Sequence, residues 1–407
     1  MNPDLVEAVF PDNSLPFVID TALVQHLERL STSGPRRARK SSTRKSQAKP
    51  APRSKLTQPP SDWSEESIAN WLNSIGAALE IICTETNNEH IGSYRDARGK
   101  EIFSQRRTWS HAQKHRTLRG SEISRKPDLI LLDRGSVTNR TWQKVHALCE
   151  VTCSPRAKNR TLKDTVLQKS YITLASQSNR TFIPCLDIAN DTFKLSVIDR
   201  TGLVTSRVMK IKRDFLVLLR IIVGLMFARP SVIGYDETIK CDANGKAVSI
   251  MVGEEEYNVE EELFRSDALK GRATRCWRVS RMEEQGIREK FVIKDSWVDT
   301  RRTRSEIETL RLIQARGLCK GGGVPKLIHG EDVPFYGGTD LEPISTKDST
   351  ARHRTPNGKL EERVHRRLLM GPVGMCIIDF KSLKELVGAF VNVVEGNIPS
   401  HNIHRAC

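Results

Sequence analysis

The order of apolar and polar positions predicts two helices flanking the first folded region. Asp62, with Glu65 three residues later, has the spacing of a capping box, and apolar residues then recur at helical intervals. That stripe consists of Ile68, Trp71, Leu72, Ile75, Leu79 and Ile82. The second segment, 215–228, follows the candidate cap Asp214, is apolar nearly all round and carries Arg220 in its middle. A bilayer span needs about 20 apolar residues, so this shorter segment predicts a buried helix.

Between these two helices the pattern predicts an α/β domain. Short apolar runs indicate strands at 129–133 and 145–151, and a helical segment follows over about 162–176. Another apolar run begins at 182, and the polar residues at 200–202 predict the turn of a β-hairpin. Counting from the helix after Asp62, the predicted order is helix, strand, strand, helix, strand.

Two acidic residues mark the predicted strands of this domain. Asp128, in KPD, directly precedes the first strand, and Glu150, in EVT, lies near the end of the second. Carboxylates at the ends of adjacent strands can hold a divalent metal ion. The arrangement resembles the restriction-endonuclease-like (PD-(D/E)xK) fold, in which a lysine two residues after the second acid helps to activate water. Here Thr152 occupies that position, and a hydroxyl cannot supply that charge. We therefore expect an inherited, silenced scaffold whose acids face water, with a metal-dependent nuclease as the alternative.

The second half of the chain shows a different pattern. Alternating residues predict strands around 276–279 and 291–293, and a periodic run from Ser305 predicts a helix. Lys294 closes the second strand, and Glu306 is expected about one turn into the helix. Protein kinase small lobes use this arrangement, in which the lysine holds nucleotide phosphates and the glutamate holds the lysine. The alternative interpretation of the lysine is a solvated strand end.

The sequences of four segments favour the kinase interpretation. GRATRCW, VIKDSW, RVHRRLLM and SLKELV occur in this order, and over roughly 125–405 the chain resembles the fungal-type protein kinases. The resemblance implies that Lys294 binds the phosphates of ATP, that Glu306 orients it, and that the loop at Gly271 covers the nucleotide. The implied activity is ATP-dependent phosphorylation of protein Ser/Thr. Because this loop has only one glycine, we expect ATP binding to be weak or absent.

The catalytic loop departs from the family pattern. Family members carry His-Arg-Asp followed by residues that bind magnesium, whereas this sequence reads His404, Arg405, Ala406 and ends at Cys407. A methyl group cannot accept the proton of a substrate hydroxyl, so the resemblance implies a catalytically inactive chain that does not hold magnesium in its kinase-like part. Two alternatives remain: a regulatory remnant, or a gene-model truncation of an active kinase.

Charge favours an anionic partner. The 407 residues carry a formal net charge of +16. The segment 31–60 contains nine Lys/Arg, no acid and no apolar periodicity, which predicts disorder. Such a segment suits a nuclear import signal or an arm that contacts phosphates; the alternative is a solvated linker. A nucleic-acid-binding protein that uses this arm and a degenerate nuclease-like domain is therefore the competing functional hypothesis.

Cysteine usage and the chain's first residues indicate the compartment. Nine cysteines without a CxxC pair predict reduced thiols. The first residues lack the basic start and apolar run of a secretory signal. We therefore expect an intracellular protein, nuclear or cytoplasmic, with no membrane partner.

The predicted organisation has three parts. Residues 1–61 form a mostly disordered basic arm, 62–240 an α/β restriction-endonuclease-like domain, and 241–407 an α+β kinase small lobe with the first helices of an incomplete large lobe. In the last part, helical spacing over 383–394 predicts an apolar face made of Leu383, Leu386, Val387, Phe390 and Val394. We expect that face to bind a protein partner or a second copy of the chain.

Overall fold

The chain folds into two compact units. The computed structural model describes residues 5–12, 15, 18–32, 56–85, 107–111, 117–136, 139–152, 159–282, 288–317, 324–335, 343–346, 362–375 and 377–391. Unit 1 comprises Met1–Asp199 with Leu203–Tyr235, and unit 2 comprises Arg200–Gly202 with Asp236–Cys407. Of the predicted arm 1–61, residues 33–55 lie outside the described residues, so their disorder stays a prediction. The described part of the arm contains two helices, Leu5–Val9 and Thr21–Thr32, with buried apolar side chains.

Unit 1 contains helices and a mixed sheet. The helices are α1 (Leu5–Val9), α2 (Thr21–Thr32), α3 (Glu65–Glu85), α4 (Asn159–Ser176) and α5 (Phe215–Phe227). The strands are β1 (Arg107–Ser110), β2 (Leu129–Asp133), β3 (Ala147–Thr152), β4 (Ile183–Ala189), β5 (Thr192–Asp199), β6 (Gly202–Thr205) and β7 (Met209–Lys210). They are ordered β1-β2-β3-β4-β5-β6, with β7 beside β5. β3 and β4 are parallel because α4 returns the chain between them.

The core of unit 1 lies on the face of the sheet that packs against α3 and α5. Alternate residues of the strands, among them Leu129, Cys149, Leu186 and Leu195, are fully buried there. The apolar stripe of α3 and nearly all of α5 join the same cluster. Both predicted helices are therefore present, and the predicted burial of 215–228 is confirmed.

Helix starts differ from the predicted ones in detail. α3 begins at Glu65, so Ser64 and not Asp62 precedes it, and the Ser64 hydroxyl accepts the Ser67 backbone N–H at 3.1 Å. Asp62 instead accepts the hydroxyls of Ser64 and Ser67. Asp214 does precede α5, but its carboxylate accepts the backbone N–H of Lys210 in the preceding turn. In both cases the carboxylate accepts hydrogen bonds from other nearby donors instead of capping the first N–H groups of the helix.

Unit 2 contains a second seven-stranded sheet and α6 (Glu306–Ala315). Its strands are β8 (Ile239–Cys241), β9 (Ala247–Val252), β10 (Glu255–Arg265), β11 (Arg275–Met282), β12 (Arg288–Asp299), β13 (Lys326–Asp332) and β14 (Arg363–Gly371). They are ordered β13-β14-β12-β11-β10-β9-β8. Every recorded pair in this sheet is antiparallel.

The two faces of this sheet carry separate cores. On one face α6 packs Ile307 and Leu310 against Leu327, Leu368 and Met370. On the other face, residues of β8 to β10 join those of β11, β12 and β14; the cluster is Ile239, Ile250, Val252, Tyr257, Trp277, Val279, Phe291, Ile293 and Leu369. Alternation along β12 therefore buries Phe291 and Ile293 on one side and leaves Lys294 on the other.

The predicted mixture of helices and sheets is confirmed, and the order β10-β11-β12-α6-β13-β14 is consistent with a kinase-like fold. Among the described residues, no helix combines the length and apolar character that spanning a bilayer requires.

Candidate functional site

Lys294 lies in a row of side chains that crosses the sheet of unit 2. Phe264 on β10 pairs with Cys276 on β11, Cys276 pairs with Lys294 on β12, and Lys294 pairs with Leu368 on β14. Because paired residues project to the same face, this row lies on the face that α6 covers further along. Burial raises the pKa of the Cys276 thiol, and the ammonium of Lys294 opposes that rise.

The predicted partner of this lysine is in contact with it. Lys294 Nζ donates to Glu306 Oε1 at 2.5 Å. The Lys294 side chain is 20% exposed and that of Glu306 39%, so the pair is open to a solute. Glu306 is the first residue of α6 rather than one turn inside it, which places its carboxylate at the positive end of the helix dipole.

A capping box fixes where α6 begins. The Ser305 hydroxyl accepts the backbone N–H of Glu308 at 3.1 Å, and the Glu308 carboxylate accepts the Ser305 backbone N–H at 2.7 Å. This reciprocal cap satisfies two N–H groups that a helix start otherwise leaves unpaired. The position of Glu306 is therefore set by its own neighbours in the sequence.

The loop between β10 and β11 contains the predicted glycine. Gly271 has φ +116°, a left-handed conformation that residues with a side chain rarely adopt. A Cβ there would meet nothing within 4 Å, so backbone conformation and not crowding requires glycine. The loop is closed by Ser266 N–H to Thr274 C=O at 2.9 Å and tied to β12 by Trp297 N–H to Arg272 C=O at 2.7 Å.

A buried charged cluster occupies the opposite face of the same strands. Arg367 on β14 is fully buried and donates to both carboxylate oxygens of Asp295 at 2.8 Å and to Asp236 Oδ2 at 3.2 Å. His365 Nε2 lies 3.1 Å from Asp295 Oδ2, and the His365 ring stacks on Trp297 at 5.1 Å. The segments VIKDSW and RVHRRLLM contain these charged residues. Only the pairing of β12 with β14 shows that Asp295 meets His365 and Arg367.

The acids and the histidine of this cluster have metal-ligand spacing. One atom from each of Asp236, Asp295 and His365 lies within 4.8 Å of the others. The guanidinium of Arg367 already contacts the same carboxylate oxygens. That group supplies the positive charge the carboxylates require, and all four side chains are 7% exposed or less. This closed donor set therefore fits a structural ion-pair network and not a metal site.

In unit 1, a second row of charged residues crosses four strands. Asp128 precedes β2, and its Oδ2 accepts the Val151 backbone N–H at 2.9 Å, beside Glu150 on β3. Glu150 pairs with Asp187 on β4, and Asp187 pairs with Lys194 on β5. Lys194 Nζ lies 3.4 Å from Asp187 Oδ2. The two acids named from the sequence are therefore neighbours, and Asp187 continues their row.

Lys169 on α4 reaches this row from above the sheet. Its Nζ donates to the two Glu150 oxygens at 2.6 and 2.5 Å and lies 3.9 Å from Asp128 Oδ1. The Lys169 and Glu150 side chains are only 4% and 2% exposed, whereas Asp128 is 28% exposed. Burial raises the pKa of the Glu150 carboxyl, and the ammonium of Lys169 opposes that rise.

Sequence reasoning named neither Lys169 nor Asp187. Asp187 was detectable, since FIPCLDIA places one acid inside an apolar strand. Lys169 was not, because its helix carries little apolar periodicity to show which residues face the sheet. Thr152, two residues after Glu150, ends β3 and is half-buried.

Several predicted features lie outside the described residues. They include the catalytic-loop remnant His404, Arg405 and Ala406, and the end of the apolar segment at 392–394. The part of that segment that the structure describes, 383–391, is helical. Four of its apolar side chains are exposed: Leu383, Val387, Phe390 and Val391 are 73%, 59%, 54% and 47% accessible. Leu386 is half-buried.

Comparison with known proteins identifies one family. The chain matches no curated protein and no solved structure. Residues 126–399 match the family model described as fungal protein kinase, which covers about two thirds of the 407 residues. The matched span contains the Lys294–Glu306 pair and the loop at Gly271, together with the acidic row of unit 1. The chain belongs to the fungal protein kinase family.

Proposed function

We propose that unit 2 binds the phosphates of an adenine nucleotide through Lys294, as the small lobe of a protein kinase does. The observation that carries this proposal is the 2.5 Å contact between Lys294 Nζ and Glu306 Oε1. In kinases this ion pair must be in place before the lysine can hold the nucleotide phosphates. The pair is partly exposed, at 20% for Lys294 and 39% for Glu306, so an anionic ligand can reach the ammonium.

Nucleotide binding should stabilise the protein and depend on Lys294. A ligand that binds only the folded state at ten times its Kd stabilises by about 1.4 kcal/mol, so the thermal midpoint rises. Millimolar ATP should raise the midpoint of the wild-type chain, with little dependence on magnesium, and should raise that of Lys294→Met much less. Lys290→Met is the matched control, because Lys290 lies on the same strand but pairs with Glu260 at 3.1 Å. Equal ATP shifts in Lys294→Met and wild type would leave Lys294 as a surface lysine.

Phosphotransfer by this chain is not expected. Ala406 stands where the family pattern has the aspartate that accepts the substrate hydroxyl proton. Purified protein incubated with labelled ATP and a generic basic protein should transfer no more label than Lys294→Met does. Transfer that exceeds the Lys294→Met background would show that another group replaces the missing carboxylate.

The second candidate function belongs to unit 1. We propose that this unit is a restriction-endonuclease-like domain that binds nucleic acid, with a divalent metal ion held by Asp128 and Glu150. Two observations support it: Asp128 and Glu150 lie around one point, next to the ammonium of Lys169, and Asp128 is 28% exposed, so this group is open to a solute where the cluster around Arg367 is closed. Oxygen donors suit magnesium or manganese, and the metal would neutralise phosphate charge there. The basic segment 31–60 would add contacts to the nucleic-acid backbone.

The apolar helix at 383–391 supports one further proposal. Four of its apolar side chains are about half or more exposed, although burying each would contribute roughly 1.5 to 3 kcal/mol. We propose that protein covers this face, either a partner or another copy of the chain.

A further inference from the structure

We propose that Lys169 performs the role of the lysine in the PD-(D/E)xK pattern, whose position in this chain is occupied by Thr152. Unit 1 then contains a complete phosphodiester-cleaving site made of Asp128, Glu150 and Lys169. This inference rests on the second candidate function, because it presumes a divalent ion at the two carboxylates. It goes further by assigning a hydrolytic reaction and naming the residue that supplies the positive charge.

The sheet geometry explains how a helix residue can replace a strand residue. Side chains two apart on a strand project to the same face, so Thr152 lies on the face of β3 that carries Glu150. α4 covers that face, and Lys169 Nζ reaches both Glu150 oxygens from it. A lysine at 152 and the lysine at 169 would thus reach the same carboxylates from different sides. The chemistry requires the ammonium at that point, not a particular place in the sequence.

The layer between α4 and the sheet contains buried polar and charged side chains where apolar ones would often be at least as stable. Besides Glu150 and Lys169, its buried polar side chains include Ser170, Thr173, Asp187 and Ser196. Removing a carboxylate and an ammonium from water costs several kcal/mol each, and apolar side chains of similar size would often be as stable or more so. Buried titratable groups that adjoin a partly exposed carboxylate, here Asp128, are typical of functional sites.

The site is open on the side where an anionic substrate would arrive. Asp128 is partly exposed while its neighbours in the row are buried. Just before it, Arg125 and Lys126 are exposed. Arg125 Nε donates to Gln168 Oε1 at 2.8 Å, which holds the guanidinium beside the residue that precedes Lys169. Exposed positive charge at the edge of the carboxylates suits a phosphate backbone.

The proposed reaction is hydrolysis of a phosphodiester bond. The oxygen of a water molecule bonds to phosphorus while the bond from phosphorus to one ester oxygen breaks. The water loses a proton to solvent, and the departing oxygen takes one from solvent, which leaves a phosphomonoester and an alcohol. Lys169 stabilises the negative charge that develops on the phosphoryl oxygens, and a divalent ion held by Asp128 and Glu150 would supply further positive charge there.

A rescue experiment separates this role from a structural one. End-labelled DNA and RNA oligonucleotides are incubated with the full chain and Mn²⁺, and cleavage rates are compared for wild type, Lys169→Met and Lys169→Met with Thr152→Lys. We expect cleavage of DNA, RNA or both, an approximately 100-fold or greater loss in Lys169→Met, and recovery when the lysine is restored at 152. Lys210→Met is the control, since Lys210 is exposed and pairs with Asp191; its cleavage rate should equal that of wild type.

Manganese alone tests the underlying metal site separately. Mn²⁺ without nucleic acid should raise the thermal midpoint of wild type but not of Asp128→Asn. If Mn²⁺ binds but wild type cleaves neither nucleic acid, the second candidate function stands and the catalytic inference is overturned. Cleavage that Lys169→Met retains, or that Thr152→Lys fails to restore, also overturns it and leaves Lys169 as structural support. If Mn²⁺ has no effect on the midpoint, the metal site itself is wrong and the inference falls with it.

Discussion

Replacing Arg367 by methionine should destabilise unit 2 by about 3–5 kcal/mol, the usual cost of removing one partner from a buried ion pair. Arg367 is fully buried and is held by Asp295, Asp236, the Thr238 hydroxyl at 2.8 Å and the Met251 carbonyl at 2.7 Å. Without the guanidinium, two carboxylates stay buried, and the His365 ring, 3.1 Å from Asp295 Oδ2, does not replace the lost charge-assisted hydrogen bonds. The loss is large because the remaining charges are uncompensated, not because the pair itself was strongly favourable.

Arg366→Met is the matched control. Arg366 is the neighbour of Arg367 on β14 but faces the other way and pairs with Asp332, whose side chain is 36% exposed. Surface pairs of this kind contribute about 0–1 kcal/mol. Hydrogen exchange of peptides covering β12 and β14, measured through a urea series, gives the free energy of unfolding for unit 2 alone. Equal effects of the two substitutions would mean that the buried cluster is not essential to this unit.

The same cluster gives a pH dependence with a definite sign. Burial alone would raise the pKa of Asp295, but Arg367 and His365 hold that pKa well below its ordinary value. A carboxyl whose pKa is depressed by folding stabilises the fold above its unfolded pKa, about 3.9, and that contribution is lost as pH falls through the folded pKa. The difference between wild type and Arg367→Met should therefore be full near neutral pH and shrink below about pH 4.

How far the sequence predicts each site depends on how far apart its residues lie. Lys294 and Glu306 are twelve positions apart, and a strand end, a short connection and a capped helix are enough to expect their contact. Arg367 and Asp295 are separated by two further elements. They meet only because β12 pairs with β14 in one register, and a shift of β14 by one residue would turn Arg367 to the other face of the sheet, away from Asp295.

The acidic row of unit 1 shows a second limit. Asp128 and Glu150 could be predicted as site residues because each lies at or near the end of a strand that an apolar run of the sequence predicts. The assumption that their lysine must follow on the same strand led to Thr152 and to the expectation of a silenced site. Lys169 lies on a helix that buries Ser170, Thr173 and Lys169 together with apolar residues, so the usual rule that buried positions of a helix are apolar pointed away from it.

Removing the positive charge of the basic segment 31–60 should reduce the affinity for nucleic acid more than any other change to the chain. If the nine Lys/Arg of 31–60 contact nucleic acid, binding releases about 0.9 counterion per phosphate contact on duplex DNA. With six to ten contacts, affinity falls by roughly 10³–10⁵ between 50 and 200 mM salt. Replacing the nine basic residues by glutamine should remove most of this affinity at low salt and flatten the salt dependence.

Substitution is a sharper test than deletion of 31–60. All nine basic residues lie within 36–55, whereas the ends of the segment belong to the folded part. The Leu56 carbonyl accepts the indole N–H of Trp71 at 2.8 Å, the Thr57 hydroxyl donates to Glu28, and α2 continues to Thr32. A deletion would remove these contacts as well as the charge. Fluorescence anisotropy of labelled duplex DNA and RNA across a salt series, with wild type and the glutamine variant, measures the slope directly. Binding that is independent of salt, or equal in the two proteins, would mean that the segment is a linker and that any nucleic-acid contact lies elsewhere.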